Sequence, residues 1–168
     1  MIALTREILE RLKIGVPFFN DFSNEELLAF LKLMKSESFL DGQVICREFE
    51  TGDKMYILLK GKVKISKKST KSKETILAML EAGECFGEMG LIDHRSRSAT
   101  ATAVGDSFLF SMGESTVTKI SRNPRYSRLS SKLFRNFSLM LAKRLRDSNQ
   151  RYAELLAKYE AVQLEAEK

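Results

Sequence analysis

In 168 residues the chain has no tryptophan, one histidine, two cysteines and two prolines, and each scarcity removes a class of function. A lone His94 cannot build the multi-histidine centre of a metal-dependent enzyme, and no nucleophile, base and orienting group can be assembled around it. Catalysis is therefore not expected, and no metal site is. Cys46 and Cys85 are far apart in the chain and carry no paired motif, which excludes a disulfide framework and leaves reduced, structural thiols. No run of about 18 apolar residues occurs. Arg6, Glu7, Glu10, Arg11 and Lys13 interrupt the apolar positions near the N-terminus, so neither a membrane span nor a signal peptide is expected and the compartment is cytoplasmic.

What is present argues for a packed core. Hydrophobic residues make up 43% of the chain, with 11 phenylalanines, enough for one domain with an extension. Ile2, Leu4, Ile8, Leu9 and Leu12 have helical spacing, ended by Gly15 and Pro17. Ser23 followed by Glu26 is a capping-box start, and Leu27, Leu28, Phe30, Leu31, Leu33 and Met34 supply the face of a second helix. From Ser38 the period changes to two, with glycines at 42, 52, 61, 83, 105 and 113 punctuating short runs such as 55–59, 75–80 and 107–111. The expected fold is mainly β within an α+β class: a jelly-roll barrel flanked by N-terminal helices and a long C-terminal helix.

That last helix follows from absence as well. Beyond Pro124 there is neither glycine nor proline, so one helix of about 60 Å is the simplest reading of 126–168. Positions 134, 138, 141, 145, 148, 152, 155, 159, 162 and 166 form a heptad seam in which eight of ten residues are apolar, the polar ones being Ser138 and Ser148. A coiled-coil homodimer is the preferred reading; the alternative is a helix folded back on its own domain. Two domains follow: residues 1–125 and the helix of 126–168.

One stretch, 86–100, concentrates the chemistry. Gly87 and Gly90 allow close backbone approach, and Glu88 to Ile92 is long enough for a helical turn whose first N–H groups suit an anion. Arg97 adds an always-charged fork of donors and Ser98 a rotatable hydroxyl. Glu88 can only accept, so a ligand here must bring hydroxyl donors as well as negative charge. A sugar phosphate satisfies both.

The net charge of +6 favours anionic partners without naming one. Residues 60–73 hold seven lysines and no acid, and 122–151 hold many bases against Asp147. A nucleic-acid surface is one reading of these; a solvated hairpin and helix face is the simpler one, since the lysines alternate with Val63 and Ile65.

Phe86-Gly87-Glu88, Gly90, Leu91 and then Arg97-Ser98-Ala99-Thr100 resemble the phosphate-binding cassette of cyclic nucleotide-binding domains, with the spacing from Glu88 to Arg97 kept. Pro17-Phe18-Phe19, Gly42-Gln43-Val44-Ile45, Met55-Tyr56-Ile57, Gly61-Lys62-Val63 and Gly83-Glu84-Cys85 agree, and the likeness covers about residues 10–150. It implies N-terminal helices, an eight-stranded jelly roll and C-terminal helices. By the same likeness Glu88 accepts from the ribose 2′-hydroxyl, Arg97 pairs with the cyclic phosphate, Gly87 gives a backbone contact, and Ser98 and Ala99 complete the phosphate site. Phe49 and Ser96 depart from the family's commoner Gly and Pro. Ser98, where a Thr often accompanies cGMP preference, leans the choice towards cAMP.

Ala142-Lys143-Arg144-Leu145 further resembles a run in the dimer helix of bacterial cAMP-receptor transcription factors, which carries base recognition onto Ser148 and Asn149, with Arg144 beside them. The helix-turn-helix those factors add is not found before Lys168, so direct DNA binding is not expected. The leading expectation is a regulatory module that senses a cyclic nucleotide, cAMP or cGMP. The alternatives are a ligand-independent dimerisation scaffold with a retained cassette, and a sensor of a cyclic dinucleotide, for which Arg95 or Arg144 would be the second anchor.

Overall fold

The structure is a computed structural model and describes residues 5–68 and 74–166, with side chains described to residue 163. Ile2 and Leu4 of the first expected helix, Lys71 and Lys73 of the lysine run, and the side chain of Ala166 lie outside the described residues. Two compact units divide the chain, Met1–Lys132 and Leu133–Lys168.

In the first unit, helix α1 spans Arg6–Gly15 and α2 spans Asn24–Leu31, joined through a 3-10 turn at Pro17–Phe19. The capping box forms as its sequence requires: Glu26 N donates to Ser23 Oγ at 3.1 Å and Ser23 N donates to Glu26 Oε2 at 2.8 Å. Helix α2 stops at Leu31, so Leu33 and Met34 fall in the turn that follows. Phe18, Phe19, Phe22 and Phe30 pack on one another with ring centroids 5.6 to 6.3 Å apart, a satellite aromatic core.

Six strands make one antiparallel sheet: β1 (Lys35–Phe39), β2 (Val44–Cys46), β3 (Lys54–Lys68), β4 (Glu74–Leu80), β5 (Cys85–Phe86) and β6 (Thr100–Gly113). The main path is β1-β6-β3-β4, with β2 paired to β6 and β5 to β3, and hydrogen bonds do not close it into a barrel. Short helix α3 (Glu88–Asp93) interrupts the run between β5 and β6, and α4 (Glu114–Arg122) follows β6.

The eight strands that the resemblance implies become six because β3 and β6 pass through their glycines instead of ending there. The register between them shifts on either side of Lys60, where Gly61 takes φ +91°. A side chain at 61 would sit 2.3 Å from Ser107 Oγ, so only glycine lets the two bent strands cross this closely. Central β3 is buried on both faces at Met55, Tyr56, Ile57 and Leu58, as its unbroken apolar run demands, and beyond Gly61 only Val63 and Ser66 are buried. Tyr56, Leu58, Val63, Leu80, Phe86, Ala101 and Leu109 form the core.

The lysines on β3 are less bare than their sequence implies. Lys62 pairs with Glu81 at 2.8 Å, Lys64 with Glu74 at 2.9 Å, and Lys67 with Glu48 at 3.5 Å. Acids missing within 60–73 arrive from outside it, which removes much of the case for a nucleic-acid surface there.

Helix α5 spans Ser127–Ala166 as forty unbroken residues. Its start belongs to the first unit, where Lys132 Nζ donates to Glu26 Oε2 at 2.5 Å and to Asp21 O at 2.6 Å. In the second unit the expected seam is exposed: Leu145, Tyr152, Leu155, Tyr159 and Val162 all lie between 59% and 69% accessible. No helix among the described residues is long and apolar enough to cross a membrane.

Candidate functional site

The site is assembled where the end of β5 meets the start of β3. Tyr56 pairs with Phe86 across these strands, and the chain then turns sharply at Gly87, the residue that caps α3 with φ +80°. A side chain at 87 would meet Arg97 Nη1 at 2.7 Å and Lys54 O at 2.9 Å, so glycine is required for both reasons, conformation and space. Behind it, α3 approaches the segment between β2 and β3 closely through two glycines: a carbon added at Gly90 would lie 2.8 Å from Gly52 Cα.

Three of the residues singled out in the sequence come together here. Glu88 opens α3 and is 1% exposed; Arg97 is 5% exposed. Arg97 Nη1 donates to Lys54 O at 2.6 Å and to Gly87 O at 2.9 Å. Its main chain is clamped as well: Arg97 N donates to Glu50 O at 2.7 Å, and Phe49 N donates to Arg97 O at 2.9 Å. The guanidinium carbon stands 5.8 Å from the centre of the Tyr56 ring, and that ring stacks on Phe86 at 5.1 Å with 19° between planes.

One buried donor has no partner. Arg97 Nε is buried and has no hydrogen-bond partner, although an unpartnered buried N–H on a charged group is costly. With Nη1 given to carbonyls, an oxyanion that reached Nε would meet a donor with no competing partner. Ser98 and Ala99 occupy the short bend between Arg97 and Thr100, the first exposed and the second half-buried. Arg144, Ser148 and Asn149 lie on α5 in the second unit; Arg144 is half-buried, the other two are exposed. Arg95, the other basic residue of the loop, is exposed.

The electrostatics follow the burial. Burial pushes the Tyr56 phenol up to about 12, with Glu37 adding to the shift and Arg97 opposing it. The Cys46 thiol is also pushed up, first by burial, against the pull of Arg97. Neither Cys46 nor Cys85 is in a disulfide; Cys85 is buried and Cys46 half-buried. Among the described residues no group of His, Cys, Asp and Glu could hold a metal ion.

Sequence reasoning passed over Lys54, whose contribution is a main-chain carbonyl and has no residue signature. It also passed over Tyr56 as a site residue; the one signal was an aromatic in an otherwise aliphatic run. Phe49 stood out by type, and the structure explains why it matters: it takes φ +70°, a left-handed conformation that a bulky residue rarely adopts, directly across from Arg97.

Comparison with known proteins matches residues 36–123 to the family model described as "Cyclic nucleotide-binding domain". The "Cyclic AMP receptor protein" of Thermus thermophilus is 32% identical over 136 residues, covering 80% of this chain and 60% of that protein. A "cGMP-dependent protein kinase" of Eimeria tenella is 35% identical over 125 residues, covering 74% of this chain and 12% of the kinase. Among solved structures, the Catabolite Activator Protein of Thermus thermophilus superposes with a TM-score of 0.73 at 29% identity, covering 83% of this chain and 62% of that one. The chain thus spans about 60% of the length of the receptor protein it matches.

Proposed function

Because the chain belongs to the cyclic nucleotide-binding domain family, we propose that it is a regulatory module that senses cAMP and passes the signal through α5. The observation that carries this reading is the pairing of two buried groups of opposite capacity: a carboxylate, Glu88, that accepts, and a guanidinium, Arg97, whose Nε–H has no partner. A ribose cyclic phosphate is complementary to both, with hydroxyl donors on one side and an oxyanion on the other. In this reading Glu88 takes the ribose 2′-hydroxyl, Arg97 the phosphate, Gly87 a main-chain contact, and Ser98 and Ala99 the remaining phosphate oxygens.

In the same reading, by likeness to cAMP-receptor transcription factors, Arg144, Ser148 and Asn149 are proposed for the base and a homodimer through the seam of α5 for the output. For ligand to act as a switch, it must bind two arrangements of that helix with different affinity. The match to a cGMP-dependent kinase supports a second reading with the same ribose and phosphate site but cGMP as ligand. Titration calorimetry on protein stripped of nucleotide tests both. Heat with cAMP at low micromolar concentration supports the first, a clear preference for cGMP the second, and no heat with either at high micromolar concentration removes both.

A further inference from the structure

We propose that Tyr56 is a positioning residue for ligand capture, its ring face holding the Arg97 guanidinium with the Nε edge turned to the ligand. The proposal rests on the cyclic-nucleotide reading for what Arg97 binds, but the hold itself is a property of this protein's own side chains.

Four observations converge on it. Arg97 Nη1 is fixed to two carbonyls, those of Lys54 and Gly87, at 2.6 and 2.9 Å. Two bonds from the coplanar N–H groups of one nitrogen set the plane only within the angular tolerance of a hydrogen bond, so the far edge of the guanidinium can still tilt. The Tyr56 ring, 5.8 Å from the guanidinium carbon, supplies a second surface that restricts this tilt. That ring cannot itself drift, because it is 5% exposed and stacked on Phe86 at 5.1 Å. Finally, the buried donor these constraints leave without a partner is Nε. Orientation, not mere presence, makes a guanidinium a bidentate ligand for an oxyanion, since its donors are coplanar.

The stack is also compact in sequence terms. Phe86 precedes Gly87, and Gly87 supplies one of the two carbonyls, while Lys54 and Tyr56 come from the same strand. One strand pairing thus provides both the carbonyls and the ring. A leucine at 56 would fill much of the same core volume and offer no negative face.

The test separates the hold from the binding. In ligand-free protein the Arg97 Nε–H is followed by nitrogen-15 NMR. A distinct, slowly exchanging signal is expected in the wild type and in Tyr56→Phe, and a broadened or rapidly exchanging one in Tyr56→Leu. An Nε–H signal unchanged in Tyr56→Leu overturns the proposal, whatever the protein binds. Calorimetry with cAMP is the second readout. Tyr56→Leu should bind about five- to thirtyfold more weakly, Tyr56→Phe should bind as the wild type does, and Tyr56→Leu added to Arg97→Ala should cause no further loss.

Phenylalanine at 56 carrying one, two or three ring fluorines keeps the shape while draining the ring's negative face, and it guards against a leucine variant that folds poorly. Affinity that falls stepwise with fluorine supports the proposal; affinity that stays flat overturns it. A wild type that shows the protected Nε–H but no heat with cAMP would keep the hold and remove the cyclic-nucleotide reading.

Discussion

Residues 86–100 and the second half of α5 break the ordinary partition of residues in opposite directions. In the first, Glu88 and Arg97 are charged and almost wholly inside, at 1% and 5% exposure. In the second, Leu145, Leu155 and Val162 are aliphatic and more than 60% exposed. Burying a charge is tolerated only with compensating partners, and exposing a row of large apolar groups at heptad spacing is unusual in a chain that ends its folding alone. In the proposed reading each region is completed by something beyond its own fold: a polar ligand in one case and an apolar surface in the other. A small ligand can be held by three or four groups in a single loop. A helix partner needs a repeat over many turns, as the seam of α5 offers.

The comparison breaks most sharply at Arg97. Arg97→Ala removes the donor fork and leaves Glu88 buried beside an uncompensated phosphate, so cAMP binding should weaken by about 2 to 5 kcal/mol, which calorimetry reads directly. An affinity within threefold of the wild type would show that the buried guanidinium serves the fold and not a ligand. On the other side, Leu155→Lys and Tyr159→Lys should each weaken dimerisation by about 2 kcal/mol per side chain while leaving the melting of the first unit unchanged. Sedimentation equilibrium measures this. A wild-type chain that is monomeric at high micromolar concentration would sink the coiled-coil reading and leave the scaffold alternative without its surface.

A smaller effect sharpens the buried side of the contrast. The Tyr56 phenol sits at about 12 in the folded protein, raised by burial first and by Glu37, against about 10 in an unfolded chain. Folding therefore favours the protonated phenol. Its contribution to stability is fully present below about pH 10 and is lost as pH rises through 12, because the unfolded chain releases the proton first. The total is roughly 2 to 3 kcal/mol. Urea unfolding of wild type and Tyr56→Phe from pH 9 to pH 12 should show the wild type losing this amount relative to the variant; parallel curves would mean that the phenol is solvated.

How far the sequence foretold these regions depends on how local each one is. The 86–100 loop was legible because its glycines, carboxylate and arginine are contiguous and their donor and acceptor capacities are intrinsic to residue type. The seam of α5 was legible because a helix without glycine or proline has one regular geometry, and the forty-residue helix observed follows it. What reaches the site from elsewhere in the chain was not legible. Lys54 contributes a carbonyl, and Tyr56 arrives through strand pairing with Phe86, which only the sheet register determines. The strand count failed for a related reason: Gly61 reads as a turn in sequence, and in the sheet it bends β3 without ending it. The lysine run read as bare because its acidic partners Glu48, Glu74 and Glu81 lie outside it.

The smallest effect concerns the join between the loop and its neighbour. Phe49 holds φ +70° and is 79% exposed, so it carries a left-handed backbone with little packing in return. A non-glycine residue in that region costs about 1 to 2 kcal/mol, and glycine would add back about 0.5 to 1 kcal/mol of chain entropy. Phe49→Gly should therefore stabilise the first unit by about 0.5 to 1 kcal/mol, measured as a rise in the urea midpoint with the slope unchanged. The hydrogen bond from Phe49 N to Arg97 O is made by the backbone and survives the change. Affinity for cAMP should then stay within about twofold of the wild type, since less than about 0.4 kcal/mol would reach the Arg97 main chain. A variant that is stabilised and also binds much more weakly would place the Phe49 ring in ligand recognition, and a variant that is destabilised would show that the exposed ring packs in solution.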